Sequence, residues 1–421
     1  MSFRFPKMPR FFPSALLIIY IGMFAPSFAV AQSDSLLYYQ NDSLTEAGKG
    51  ELRLHIENLN FFRNDEYASS FSNGYTLPGF FLAPTVSYQP LKNLRVEAGA
   101  HLLKYWGTNR YPTAYYLTLP DASSSKIGHG FHCVPIFRGE LQLLPSLRVT
   151  IGTLRGKSQH GLVEPLYDEE LNLTADPEAG LQIGFKESYL EAETWVNWEN
   201  FIFKNDAHQE ALTYGLSARF KPSRRKARVQ WSLPLQVVFR HRGGELDTQN
   251  PDRSVRTAFN AAAGAAVRIP FAAKKPAALE VEATGLLFSQ KDGDIYPFDE
   301  GYGFYSRVTG CYDGLRLTAG YWLCHHFASL FGNPMYNSFS VDDPSLTYSS
   351  PRFFILRGDY AAPLGKGFAW GVHAELRQLL RNRFHQPYEG EMSDKNTFNY
   401  SFGFYLRISP SFLLKRFRGV L

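Results

Sequence analysis

Cysteine is scarce in this chain. Its 421 residues hold three, Cys133, Cys311 and Cys324, too few and too uneven for a disulfide framework. Cys311 and Cys324 either pair across neighbouring strands or remain small thiols. An excess of one charge is also missing. Lys and Arg number 44 against 39 Asp and Glu, and the net +5 is spread along the chain, which excludes a nucleic-acid surface. No long apolar run follows residue 32, so no transmembrane helix is expected there. Recognisable catalytic motifs are absent as well: there is no Gly-x-Ser-x-Gly elbow, no His-Glu-x-x-His and no phosphate-cradling glycine loop. Asp292-Gly293-Asp294 with Asp299 and Glu300 lacks the full calcium-loop spacing. His325 and His326 sit at a strand end, where adjacent side chains point to opposite faces and do not share a metal. On these grounds the chain reads as a protein that is not an enzyme, with no catalytic, cofactor or metal residues.

What is present begins with a leader. Arg4, Lys7 and Arg10 precede an apolar core from Ala15 to Phe24, and Ala29-Val30-Ala31 forms an A-x-A cleavage site. Residues 1–31 therefore read as a secretory signal peptide, and 32–50 as a periplasmic segment. Beyond it the chain alternates. From Phe398 to Ile408 one set is Phe398, Tyr400, Phe402, Phe404, Leu406 and Ile408; the other is Asn399, Ser401, Gly403, Tyr405 and Arg407. A period of two means a strand with one apolar and one polar face. The same pattern recurs at 94–102, 227–240, 315–323 and 368–377. Aromatics make up 15% of the chain, with 35 Phe and 24 Tyr, and mean hydropathy is -0.24. That composition suits an outer-membrane β-barrel with aromatic girdles and a wet lumen.

The connections carry the topology. Long polar ones, near 63–74, 107–130, 156–179, 203–209, 242–255, 289–300, 327–350 and 381–396, alternate with short ones such as Pro145-Ser146, Asp313-Gly314 and Pro363-Leu364-Gly365. Outer-membrane barrels sort their loops in this way, with tight periplasmic turns and long external loops. The fold class expected is all-β: a transmembrane antiparallel β-barrel of about 16 strands, with 14–18 open, over 51–408. Residues 409–421 form a basic tail with Lys415, Arg416 and Arg418, which stays periplasmic or extends the last strand.

Charge fixes the phase. An Arg or Lys facing lipid at mid-membrane costs roughly 2–4 kcal/mol, so the strand charges face the lumen. The lumen-lining set is Arg95, Glu97, Arg138, Glu140, Arg148, Glu191, Glu193, Arg228, Arg240, Glu280, Glu282, Arg316, Glu375, Arg377 and Arg407. These charges serve either as pore rings or as salt-bridge ladders between strands. The histidines on strands, His55, His101 and His373, share that polar phase, whereas an interfacial lipid hydrolase needs a Ser/His pair facing lipid. Two long loops invite an inward fold: 107–130, with the apolar run Ala114 to Leu119, and 156–179, with Glu164, Asp168, Glu169, Glu170, Asp176 and Glu178. An acidic inward loop against an arginine wall narrows a barrel; the same loop outside merely covers it.

The stretches Glu97-Ala98-Gly99-Ala100-His101-Leu102-Leu103-Lys104-Tyr105 and Gly161-Leu162-Val163-Glu164-Pro165-Leu166-Tyr167-Asp168 resemble porin-like outer-membrane β-barrel proteins of Bacteroidota. The resemblance implies the barrel and the membrane, and assigns no substrate. The functional expectation is an outer-membrane channel for passive or weakly selective passage of small polar solutes. The alternative is a non-conducting barrel with a filled lumen, acting as a structural, adhesive or complex-forming subunit. Expected partners are outer-membrane lipid, small polar solutes and the outer-membrane assembly machinery, with no nucleic acid and no cofactor. Sequence leaves the oligomeric state open.

Overall fold

The computed structural model describes residues 44–106, 132–156, 160–201, 209–223, 227–244, 255–293, 295–386, 390–393 and 396–417. The signal-peptide expectation, most of the long connection with Ala114 to Leu119, and Asp294 lie outside these residues.

Sixteen antiparallel strands close into a barrel. They are β1 (Glu51–Glu66), β2 (Tyr75–Leu91), β3 (Leu94–Tyr105), β4 (His132–Leu144), β5 (Leu147–Thr153), β6 (Ala179–Lys186), β7 (Leu190–Asn200) and β8 (Ala211–Phe220). The second half is β9 (Gln230–Arg242), β10 (Arg256–Phe271), β11 (Ala277–Asp292), β12 (Glu300–Tyr312), β13 (Leu315–His325), β14 (Arg352–Gly365), β15 (Phe368–Leu379) and β16 (Thr397–Ile408). Each strand pairs with its sequence neighbour, and β1 also pairs with β16, Asn58 opposite Ile408 and Glu66 opposite Tyr400. Closure leaves no edge, the condition for a sheet to cross a bilayer. All the long connections leave one end of the barrel and all the short ones the other.

The alternation holds at atomic level. On β16 Phe398, Phe402 and Phe404 are 53%, 44% and 48% exposed, while Asn399 and Ser401 are 0% and 4%. Apolar groups outside and buried polar groups inside is the reverse of a soluble sandwich, and lipid is the solvent that suits it.

The basic tail is in part a strand. After Ser409-Pro410 the chain pairs again with β1, Ser411–Arg416 lying against Glu51–His55. Pro410 has no N–H to give, but its carbonyl accepts from Ile56 N at 3.0 Å, so the ladder passes the interruption. Arg416 pairs with Glu51 at the end. The last strand thus extends to residue 416.

Sixteen strands enclose a lumen wide enough for water unless something fills it. Here two connections turn inward. Between β5 and β6, Val163, Leu166, Tyr167, Leu171 and Leu173 are all buried, held in a 3-10 turn at Glu164–Leu166 and the short helix α1 (Leu171–Thr174). Between β13 and β14, Phe327, Leu330, Met335, Tyr336 and Phe339 are buried too, against Trp322, Tyr305 and Phe353 of the wall. The barrel therefore has an apolar core inside its lumen, built from loops. Both inserts carry local reasons to turn: Pro165 starts one 3-10 turn, and Asn333 caps the other by accepting from Met335 N at 3.1 Å, with Pro334 following.

No disulfide joins the three cysteines. Cys311 lies opposite Arg316 and Cys324 opposite Gly303, so the β12–β13 register keeps them apart. The histidine expectation is corrected: the rings of His325 and His326 stack at 3.9 Å. β13 ends at His325, and the left-handed φ of 51° at His326 turns its ring back.

Candidate functional site

The densest chemistry lies on the lumen wall of β14, β15, β16 and β1, where polar-phase positions of four adjacent strands face both inserted loops. Arg377 of β15 donates to Asn333 Oδ1 at 2.9 Å, lies 2.7 Å from Glu375 and 3.4 Å from Glu164. Tyr305 donates to Glu164 at 2.8 Å. Arg357 of β14 pairs with Glu169 and grips Asp359 with Nε and Nη2. Arg63 of β1 holds Asp65 at 2.9 Å and lies 3.5 Å from Glu170, which accepts from Tyr75 at 2.6 Å. The acidic loop thus meets an arginine wall, as its composition suggested.

Burial sets the loop's proton affinities. Desolvation alone would raise Glu164, but Arg357 and Arg377 bring it below the usual carboxylate value. Glu170 goes the other way: burial, aided by Asp65 and Asp168, outweighs Arg63 and lifts it to about 8. His160 anchors the loop's start, stacked on Trp195 at 3.7 Å and bonded to Glu193 and, at 2.6 Å, to Glu178. Burial opposes its charging, yet the two carboxylates prevail and raise it to about 9. Trp195 can lie flat there because its cross-strand partner is Gly215; a Cβ at Gly215 would come within 2.0 Å of the indole.

Within this wall lies a Ser–His–Asp alignment. Asp359 on β14 and His373 on β15 are direct cross-strand partners, and Ser401 on β16 is diagonal to His373. His373 Nδ1 is 2.9 Å from Asp359 Oδ1 and its Nε2 is 3.3 Å from Ser401 Oγ. Each residue is at least nine-tenths buried. Chemically this is a nucleophile, a base and an orienting carboxylate in hydrogen-bond reach. It lies outside the expectation of a lipid-facing Ser/His pair because His373 and Ser401 face the lumen. The available signal was that His373 and Ser401 share the inward phase of adjacent strands.

The other expected lumen residues form cross-strand ladders. Arg95, Glu97, Arg138 and Glu140 join with Arg155 in one network on β3 and β4; Arg138 reaches Glu97 at 2.6 Å, and Glu140 is fully buried. Glu193 binds His160, Arg240 pairs with Glu199 at 3.2 Å, and Glu282 with Arg307 at 2.9 Å. Glu280 pairs with Arg268, and Glu191 with Lys221 at 2.7 Å. Arg148 donates to Gln142 at 3.1 Å, Arg407 donates to Ser409 at 3.3 Å, and Arg316 stands opposite Asp359. Arg228 is the exception: it precedes β9 and is exposed at the short-turn end.

No curated protein matches the chain. Among solved structures it is similar to the outer membrane protein OpdK of Pseudomonas aeruginosa, at 11% identity and a TM-score of 0.45, covering 86% of this chain and 100% of that one. It is also similar to OccK8 (OprE) of the same organism, at 10% and 0.47, covering 87% and 99%. A third is OccAB4 of Acinetobacter baumannii, at 11% and 0.43, covering 87% and 100%. The family model described as Lipid A 3'-O-deacylase-type matches residues 41–417. That description is of an enzyme family, and it overturns the expectation of a protein that is not an enzyme. Signatures such as Gly-x-Ser-x-Gly are contiguous, whereas in a barrel a site is assembled across strands. With the match running from before β1 to the end of the last strand, the chain belongs to the Lipid A 3'-O-deacylase-type family, as an outer-membrane β-barrel.

Proposed function

We propose that this barrel hydrolyses an acyl ester of an outer-membrane glycolipid, the reaction that its family's description names. The observation that carries the reading is the Ser401–His373–Asp359 alignment. Ser401 Oγ attacks the ester carbonyl as His373 Nε2 takes its proton. His373 returns the proton to the departing sugar hydroxyl, leaving an acyl group on Ser401. Water, activated by the same imidazole, then frees the acid. Asp359 holds Nδ1–H and stabilises the imidazolium, and Arg357 fixes Asp359 from its far side. The test is fatty-acid release from lipid A by the purified, reconstituted protein. Release that persists in Ser401→Ala would remove the alignment from the reaction. No release by the wild type would remove the reading.

A second reading, passage of small polar solutes, is favoured by a cavity of about 150 Å³ beside the inserted loop, where His55, Glu97, His101, Arg138 and Glu178 share the lining with Phe81 and Ile136. Planar-bilayer conductance tests it. Conductance supports passage, and its absence supports a filled lumen.

A further inference from the structure

We infer that the lumen end carrying the long connections holds a binding site for a small organic carboxylate with an apolar body. This inference is independent of the hydrolase reading. A cavity of about 240 Å³ opens beside the ends of β9 and β10, and three guanidinium groups line it: Arg240, Arg242 and Arg256. Arg242 and Arg256 are direct cross-strand partners. Like charges placed so repel and destabilise the sheet, and an anion between them removes that cost. The compensation inside the barrel is uneven. Glu199 lies 3.2 Å from Arg240 and 4.0 Å from Arg242, whereas Arg256 makes no ion pair or hydrogen bond with any described residue. The cavity's own carboxylate, Asp168, is already engaged, accepting from Asn333 Nδ2 at 3.2 Å and Glu170 N at 3.0 Å.

The rest of the lining selects the ligand's body. Phe331, Phe339 and Ile295 supply apolar walls, and Arg240 lies over the Phe331 ring at 5.6 Å. A guanidinium fork matches a planar carboxylate with two parallel hydrogen bonds. One Arg without a partner among the described residues calls for a monoanion. Aromatic and aliphatic walls reward a ring or short chain attached to it.

The test titrates benzoate into the detergent-solubilised full-length protein, with benzyl alcohol as its neutral counterpart and inorganic phosphate as an anion without an apolar body. Benzoate binds saturably; benzyl alcohol and phosphate bind far less. Arg256→Gln weakens benzoate by at least roughly tenfold, ~1.4 kcal/mol, and Phe339→Ala weakens it while leaving phosphate unchanged. Heat-modifiable gel mobility checks that each variant is folded. Benzoate binding equal in wild type and folded Arg256→Gln overturns the site, as does the absence of saturable benzoate binding. Phosphate binding tighter than benzoate overturns the apolar half of the assignment.

Discussion

Removing one arginine should loosen the lumen plug. Arg377 is buried, reaches Glu164 at 3.4 Å and Asn333 at 2.9 Å, and so ties both inserted segments to β15. Arg377→Met keeps similar bulk but removes one of the two guanidinium groups that offset the buried Glu164, leaving it Arg357 and the Tyr305 hydroxyl. Breaking a buried pair on one side costs about 3–5 kcal/mol, because the remaining charge stays desolvated. The loop can escape that cost by undocking, and with Arg357 still near Glu164 the lower end applies, so the open fraction should rise by roughly two orders of magnitude at ~1.4 kcal/mol per decade. The barrel survives, since its closed ladder does not pass through Arg377's side chain. Asn172 in α1 is 2% exposed, so Asn172→Cys, with Cys133, Cys311 and Cys324 replaced by Ala, reports the opening through a water-soluble maleimide, and gel mobility reports the barrel. Fast labelling of Asn172→Cys in that background, unchanged by Arg377→Met, would refute the plug.

Three further outcomes follow from the same geometry. His160 is raised above its ordinary 6.5 to about 9 and Glu170 above its ordinary 4.5 to about 8; each contribution is full below the ordinary value and lost as pH rises through the raised one. Labelling at Asn172→Cys, normalised to a free thiol, should therefore accelerate as pH rises from 4.5 to about 8 through Glu170 and from 6.5 to about 9 through His160, and a flat profile would contradict the two anchors. Gly215→Ala should displace Trp195 from His160 and speed the same labelling at neutral pH, while normal kinetics would deny that stacking a role. Leu235→Arg, facing lipid, should impair assembly by roughly 2–4 kcal/mol. Gln236→Arg should assemble yet expel the insert, because Gln236 bonds Val163 N and Gly161 O; equal assembly defects would put the phase in error.

The barrel was legible because its signals are local. Strand phase at Leu315, Leu317 and Ala319 against Arg316 and Thr318 needs only the period of two, and loop sorting needs only connection lengths. The filled lumen was half legible. The acidic run from Glu164 to Glu170 announced an arginine partner, but nothing in the spacing showed that Phe327, Met335 and Tyr336 would pack inside a membrane barrel. The Ser–His–Asp alignment was hidden for a different reason. Asp359, His373 and Ser401 become neighbours only once β14, β15 and β16 are in register, and register is a property of pairing. Arg228 failed as a lumen residue because alternation was extended past the point where the strand begins.

The most direct test is the mass spectrum of lipid A from outer membranes carrying the wild-type protein or Ser401→Ala at equal, folded abundance. The account predicts that wild-type membranes lose one ester-linked acyl chain and that Ser401→Ala membranes retain it. Identical spectra, with the full set of acyl chains in both, would contradict it.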